Sequence, residues 1–259
     1  MSLRTALADD QIVLHYQPQV EVLTGRVVAV EALARWEHPD KGLLPAGDFI
    51  PEAEATGLTG PLTERVLDLA IAQAAQWRRE GWPVRVAVNL CAADLADPAL
   101  TSKVFAALER HDVAPSALEL EVTESSALRD LAQAAATLEE LNSLGVDVAV
   151  DDYGAGYSTL AHVKGLPIRR LKLDRTLVTA LAGEHTDQMI VRSTLQLARE
   201  LGVGVVAEGV EDADTLLLLR DLGCDTAQGY GLCHPVPADR AREAAPAVEE
   251  RLAGVLAAA

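Results

Sequence analysis

Residues 127–152 read ALRDLAQAAATLEELNSLGVDVAVDD. The spacing predicts a helix over 127–144, closed by Gly145, then a strand from Val146 to Val150 that ends in Asp151 and Asp152. This helix, glycine, strand and acid unit recurs through the chain. Val-Ala-Val leads into Glu31 and into Asn89, Leu-Glu-Leu into Glu121, Leu171 into Lys172, and Val-Val-Ala into Glu208. Strands are expected over 12–20, 27–34, 84–88, 118–122, 146–150, 169–173, 203–207 and 225–228. Helices are expected from Leu62 to Trp77 (between Gly60-Pro61 and Gly81), over 99–110, near 158–164, over 190–201, near 213–222 and at the Ala-rich C-terminus. Alternation of this kind predicts a parallel (β/α)8 barrel, with an open doubly wound sheet as the alternative. No Pro/Gly/Ser linker divides the 259 residues, so one domain spanning 1–259 is expected, its barrel over about 10–245 and a C-terminal helix running to 259.

Composition bounds the chemistry. The chain is 49% hydrophobic but only 3% aromatic, so its core must be aliphatic. A formal charge of −17 argues against a broad footprint on duplex nucleic acid, which needs clustered Lys and Arg. Cys91, Cys224 and Cys233 match no zinc spacing, and a reduced, cytoplasmic setting is expected. The longest stretch free of Asp, Glu, Lys and Arg, Thr226 to Ala238, contains Gly, His and Pro. No membrane contact and no signal peptide are therefore expected.

In a barrel the functional face lies at the C-terminal strand ends, where these acids fall. Side chains on a strand alternate faces, so Glu31 and Arg35 share a side, as do Glu119 and Glu121, and Lys172 and Asp174. So many carboxylates in one interior repel one another unless cations neutralise them. Structural pairing with basic side chains has only Arg35 and Lys172 to draw on. Divalent-metal chemistry is the expectation. Glu, Asp and Asn, with no His or Cys, are the donors that hard cations prefer.

The same residues fall into ordered motifs: Gln17-Pro18, Glu31-Ala32-Leu33-Ala34-Arg35-Trp36, Asn89-Leu90-Cys91, Glu121-Val122-Thr123-Glu124, Asp151-Asp152-Tyr153-Gly154-Ala155-Gly156-Tyr157-Ser158, Lys172-Leu173-Asp174, Ala207-Glu208-Gly209-Val210-Glu211 and Gln228-Gly229-Tyr230. In this set and order the chain resembles the EAL-domain family of cyclic-di-GMP phosphodiesterases. The resemblance implies a (β/α)8 TIM-like barrel with one antiparallel strand. It also implies hydrolysis of cyclic di-GMP to linear pGpG at a two-metal Mg²⁺ or Mn²⁺ site. By the same resemblance Glu31, Asn89, Glu121, Asp151, Asp152 and Glu208 are metal ligands, Glu208 doubling as a candidate general base. Lys172 orients the attacking water, Gln228 lies beside the nucleophile, and Glu124 braces the loop that begins at Asp152. Gln17, Arg35 and Asp174 meet the substrate. A homodimer, and fused sensory or GGDEF domains, are also implied. Cys91 stands where serine is usual, Tyr153 for phenylalanine and Thr159 for serine. A catalytically silent cyclic-di-GMP receptor is the alternative function.

Overall fold

The computed structural model describes residues 2–155 and 165–258. The helix expected near 158–164, together with Gly156, Tyr157, Ser158 and Thr159, lies outside them. Strands β1 (Ile12–Glu21), β2 (Val27–His38), β4 (Arg85–Leu90), β5 (Leu118–Thr123), β6 (Asp147–Tyr153), β7 (Arg170–Leu173), β8 (Gly204–Ala207) and β9 (Thr226–Ala227) form a closed barrel in the order β1-β2-β4-β5-β6-β7-β8-β9. From β2 through β9 every neighbouring pair is parallel, whereas β1 runs antiparallel to both β2 and β9. This is the mixed (β/α)8 barrel, with the odd strand at β1. Two short strands, β3 (Gly42–Pro45) and β10 (Val236–Pro237), extend the sheet antiparallel to β2 and β1.

The helices form where expected, with ends set by local chemistry. Helix α3 (Thr59–Arg79) buries Leu62, Val66, Ala70, Ala74 and Trp77, the stripe visible in sequence. Trp77 meets Tyr16 of β1 edge-on at 4.7 Å between ring centroids and Trp82 at 5.0 Å, tying α3 to the barrel. The span expected as one helix over 127–144 is two, α6 (Glu124–Leu128) and α7 (Leu131–Ser143). Asp130 divides them by accepting from the Gln133 backbone N–H at 3.1 Å, the start signal of a new helix. Helices α1 (Leu3–Ala8), α2 (Ala46–Thr56), α4 (Ala92–Leu95), α5 (Leu100–His111), α8 (Arg175–Thr179), α9 (His185–Leu201), α10 (Ala213–Leu222) and α11 (Ala238–Ala257) complete the described set. Of these, α1, α2, α4 and α8 are too short or too weakly patterned to stand out in sequence.

The packed aliphatic core lies between barrel and helices. Val30, Val86, Val88, Leu120, Val148, Val150, Leu171 and Val205 point outward into it and are almost fully buried. The alternate residues face the barrel axis, and there the interior is polar. Glu119 is 0% exposed and pairs with Arg170, with Arg85 Nε 3.8 Å away; both arginines also reach Asp147, at 3.2 and 3.3 Å. The expectation that only Arg35 and Lys172 could pair acids inside the barrel is corrected here. Arg85 and Arg170 enter from the opposite, N-terminal strand ends and neutralise Glu119 there. Removing one member of a buried ion pair costs about 3–5 kcal/mol. Glu119→Gln should therefore lower unfolding stability by about that amount without touching the acids above it, as urea titration can measure.

Candidate active site

The C-terminal ends of the strands carry the acids to one place. Register makes neighbours of residues far apart in sequence: Gln17 lies opposite Glu31, and Asn89 opposite Glu121. Glu31 is 5% exposed and accepts two hydrogen bonds, from Asn89 Nδ2 at 2.7 Å on Oε1 and from Gln228 Nε2 at 2.6 Å on Oε2. Gln228 Nε2 also donates to Gln17 Oε1 at 2.9 Å, and Gln17 Nε2 donates to the Cys233 carbonyl at 2.9 Å. Strand β1, running against the others, thus places an amide beside the acids of its neighbours.

Lys172 stands at the centre, fully buried. Its Nζ lies 2.7 Å from Glu121 Oε2, 2.8 Å from Glu208 Oε1, 3.2 Å from Asp151 Oδ2 and 3.6 Å from Glu31 Oε2. Four carboxylates meet one ammonium, so three negative charges stay uncompensated within this set. The protonation equilibria register the imbalance. Burial would pull the Lys172 amine down, but Glu121, Glu31, Glu208 and Asp151 together hold it well above its ordinary value. Burial pushes Glu121 well up and Glu208 up to about 8, outweighing Lys172 in both cases. Asp152 is also raised, by burial and then by Asp151 and Asp174. Glu31 goes the other way: burial opposes its ionisation, but Lys172 and the hydrogen bonds from Gln228 and Asn89 hold it low.

A bulge re-aims two of the acids. The β6–β7 register shifts between Val150 and Tyr153, and Asp152 sits at φ 58, in the left-handed region. Its backbone N–H turns back onto Asp151 Oδ1 at 2.8 Å. Asp151, Asp152 and Glu208 thereby offer carboxylate oxygens that all lie within 4.8 Å of one another. Glu121 Oε1, buried deeper, has no hydrogen-bond partner among the described residues. An excess of oxygen donors, a shared acidic edge and an unsatisfied buried carboxylate oxygen together fit a hard divalent cation.

Above the acids opens a cavity of about 310 Å³ lined by Gln17, Glu31, Arg35, Asp151, Glu208 and Gln228 among the expected residues. Arg175, Glu211 and Tyr230 line it too, although sequence reasoning named none of them for this role. Tyr230 is 61% exposed and lies against the His234 ring at 4.5 Å. The signals were adjacency to Asp174 and membership of the Gln-Gly-Tyr motif. Asp174 itself caps α8, where its Oδ1 accepts from the Thr176 N–H at 2.9 Å. Glu124 is buried at the first turn of α6, behind the end of β5. At Cys91 the backbone N–H donates to Asp94 Oδ2 at 2.8 Å, where Thr63 also donates at 2.9 Å, and burial with Asp94 pushes the thiol up to about 11. The cysteine is therefore a neutral group at the start of α4.

Comparison with known proteins places this arrangement. The EAL domain model matches residues 1–235. The bifunctional diguanylate cyclase/cyclic di-GMP phosphodiesterase MucR of Pseudomonas aeruginosa is 45% identical over 241 residues, 92% of this chain and 35% of MucR. The cyclic di-GMP phosphodiesterase NbdA of the same organism is 41% identical over 236 residues, 91% of this chain and 30% of NbdA. The chain spans about a third of the length of these curated relatives. Among solved structures, a PaMucR phosphodiesterase in complex with c-di-GMP superposes with a TM-score of 0.87 at 44% identity, covering 92% of this chain and 97% of that one. The FimX EAL domain from Pseudomonas aeruginosa bound to c-di-GMP gives 0.83 at 25% identity, covering 90% and 94%. With the ordered motifs, the barrel and the acidic centre in agreement, the chain belongs to the EAL domain family.

Proposed function

We propose that this domain is a metal-dependent phosphodiesterase that hydrolyses cyclic di-GMP to linear pGpG. The observation that carries the reading is the ring of carboxylates around Lys172 at the floor of an open cavity, in a chain 44% identical to a phosphodiesterase solved with c-di-GMP. Glu31, Asn89, Glu121, Asp151, Asp152 and Glu208 would hold the cations, Mg²⁺ or Mn²⁺. When bound, two such ions neutralise the phosphodiester and make a water nucleophilic near pH 7.

The chain's own residues then have distinct roles. Arg35, half-buried on the cavity wall, offers a planar guanidinium to a non-bridging phosphate oxygen. Lys172 Nζ, fixed by four carboxylates, presents a compact donor that orients the attacking water. Water adds at phosphorus as it gives up a proton, the P–O3′ bond breaks, and the departing 3′-oxygen takes a proton from solvent in exchange for the one released, leaving a 5′-phosphate and a free 3′-hydroxyl. Glu208, held to Lys172 at 2.8 Å and open to the cavity, is positioned to take the water's proton. Gln228 and Gln17 form the amide wall beside Glu31, against which the substrate sits. Asp174 acts on the substrate side by capping α8, which carries Arg175 to the cavity. Glu124 braces the segment that starts at Asp152.

The assay is release of pGpG by the purified chain with Mn²⁺ or Mg²⁺, abolished by EDTA. Binding of cyclic di-GMP in Ca²⁺ with no pGpG in any metal would establish the silent receptor instead. Cytoplasmic action as a homodimer within a longer signalling protein, alongside sensory or GGDEF domains, belongs to the same reading. Supporting it are the length of the curated relatives and the exposed Met189, Ile190, Leu197 and Leu201 along α9. Among the described residues no helix is long and apolar enough to cross a membrane. Sedimentation showing only monomer at micromolar concentration, with full activity, would remove the dimer.

A further inference from the structure

The segments that follow β8 and β9 continue the sheet beyond its last strands. The Gln228 N–H donates to the Ala207 carbonyl at 2.8 Å, Val210 N–H to the Gln228 carbonyl at 3.0 Å, and Gly231 N–H to the Val210 carbonyl at 3.0 Å. Between these rungs lie Glu208 and Gln228, both facing the cavity. The two segments approach so closely at Gly229 that a Cβ there would fall into the backbone N, C and O atoms of Val210. A Cβ on Gly231 would likewise meet the backbone of Glu211. Neither glycine has a left-handed φ, so what each position requires is room, not conformational freedom.

We propose that Gly229 is a positioning residue: its missing side chain lets the segment after β9 seat directly on the backbone after β8, fixing Glu208 and Gln228 relative to each other across the site. The inference rests on the reading of those two residues as parts of the phosphodiesterase site. Nothing nearby can absorb an added methyl. The obstacle is main chain, and the Val210 side chain is fully buried, so trimming a side chain gives no relief. Gly229 is also where the second segment turns, its carbonyl accepting from Leu232 and Cys233 N–H, both at 3.0 Å. The Cys233 carbonyl in turn holds Gln17. An intruding Cβ therefore has two outlets. It can push Val210, and with it Glu208, off Lys172, or it can push Gln228 off Glu31 and Gln17. Either displaces a group whose partners now sit at 2.6–2.9 Å. Misplacement of about 1 Å can cost on the order of 10²-fold in rate.

The experiment compares the parent with Gly229→Ala, Gly231→Ala and Gly254→Ala, the last in helix α11, where an added Cβ meets nothing within 4 Å. Thermal unfolding in EDTA establishes folding, calorimetry gives Mn²⁺ affinity, and steady-state kinetics separate kcat from KM. Folded Gly229→Ala should bind Mn²⁺ about tenfold or more weakly and lose about 10²-fold in kcat, with KM changed less than about threefold. Gly254→Ala should match the parent in both. A folded Gly229→Ala with parental Mn²⁺ affinity and kcat overturns the proposal. If that variant does not fold, Gly231→Ala decides on the same readouts, and loss of folding in both assigns these glycines to the fold alone and also overturns it. Should the parent itself release no pGpG, the phosphodiesterase reading falls, while Mn²⁺ affinity still tests whether Gly229 positions Glu208 and Gln228.

Discussion

Lys172→Met should cut the rate of pGpG release by about 10²–10⁴-fold and, in EDTA, lower the unfolding temperature by on the order of 10 °C. Methionine keeps most of the buried stem volume, so the loss isolates the ammonium. That ammonium is the common partner of Glu31, Glu121, Asp151 and Glu208, and no carboxylate in the set has a second cationic neighbour inside 4 Å among the described residues. Taking a charge out of a buried paired cluster costs about 3–5 kcal/mol, because what remains is like charge in a medium that screens poorly. Mn²⁺ should restore much of the lost stability, since the cation supplies charge to the same oxygens. It should not restore turnover, because the donor that orients the water is gone, at a cost of about 10²–10⁴ in rate. Differential scanning fluorimetry with and without Mn²⁺, beside chromatography of pGpG, separates the two effects. Parental turnover in the folded variant would remove Lys172 from the chemistry.

The parts of the molecule legible in sequence are those set by short-range pattern. An apolar run ending in a carboxylate, a carboxamide or a lysine marks the barrel part of a strand and its functional end together. Glu31, Asn89, Glu121, Asp151, Lys172 and Glu208 could therefore be named before the fold was known, although β2 itself runs on past Glu31 to His38. Their convergence follows from barrel closure alone. What sequence hides is whatever depends on cross-strand register or on one residue's backbone. Glu119 shares a face with Glu121, and alternation cannot tell that Arg85 and Arg170 reach it from two other strands. The bulge at Asp151–Asp152 is also invisible, since a left-handed Asp152 carries no compositional sign. Asp174 shares the strand-end phase of Lys172, yet a helix begins at the next residue and its carboxylate caps it. Arg175, one residue later, is the one brought to the cavity.

Glu31→Ala tests the site from the opposite side of the charge balance. In the parent, Glu31 is the shared acceptor that joins β1, β4 and β9: Asn89 and Gln228 donate to its two oxygens, and Gln228 spans from there to Gln17. Alanine leaves the exposed Asn89 amide to water and the buried Gln228 amide with Gln17 as its remaining acceptor, so the cost is at most the roughly 1–3 kcal/mol of one buried unsatisfied group. Against this, removing one of four crowded carboxylates relieves repulsion around Lys172. The two effects oppose, so the variant should stay folded with a much smaller loss of thermal stability than Lys172→Met. The cation site fares differently. It loses a charged donor and the acceptor that held Asn89 and Gln228 in place, so Mn²⁺ and cyclic di-GMP affinity should fall together. Turnover should drop by at least the roughly 10²–10⁴ of a lost acid–base contribution. The contrast is diagnostic: Lys172→Met keeps ligand affinity and loses rate, whereas Glu31→Ala loses both. Calorimetry of Mn²⁺ and of the dinucleotide in Ca²⁺, run beside the turnover assay, reads that contrast directly. Hydrolysis at the parental rate by Glu31→Ala would mean that the carboxylates around Lys172 are not the metal site.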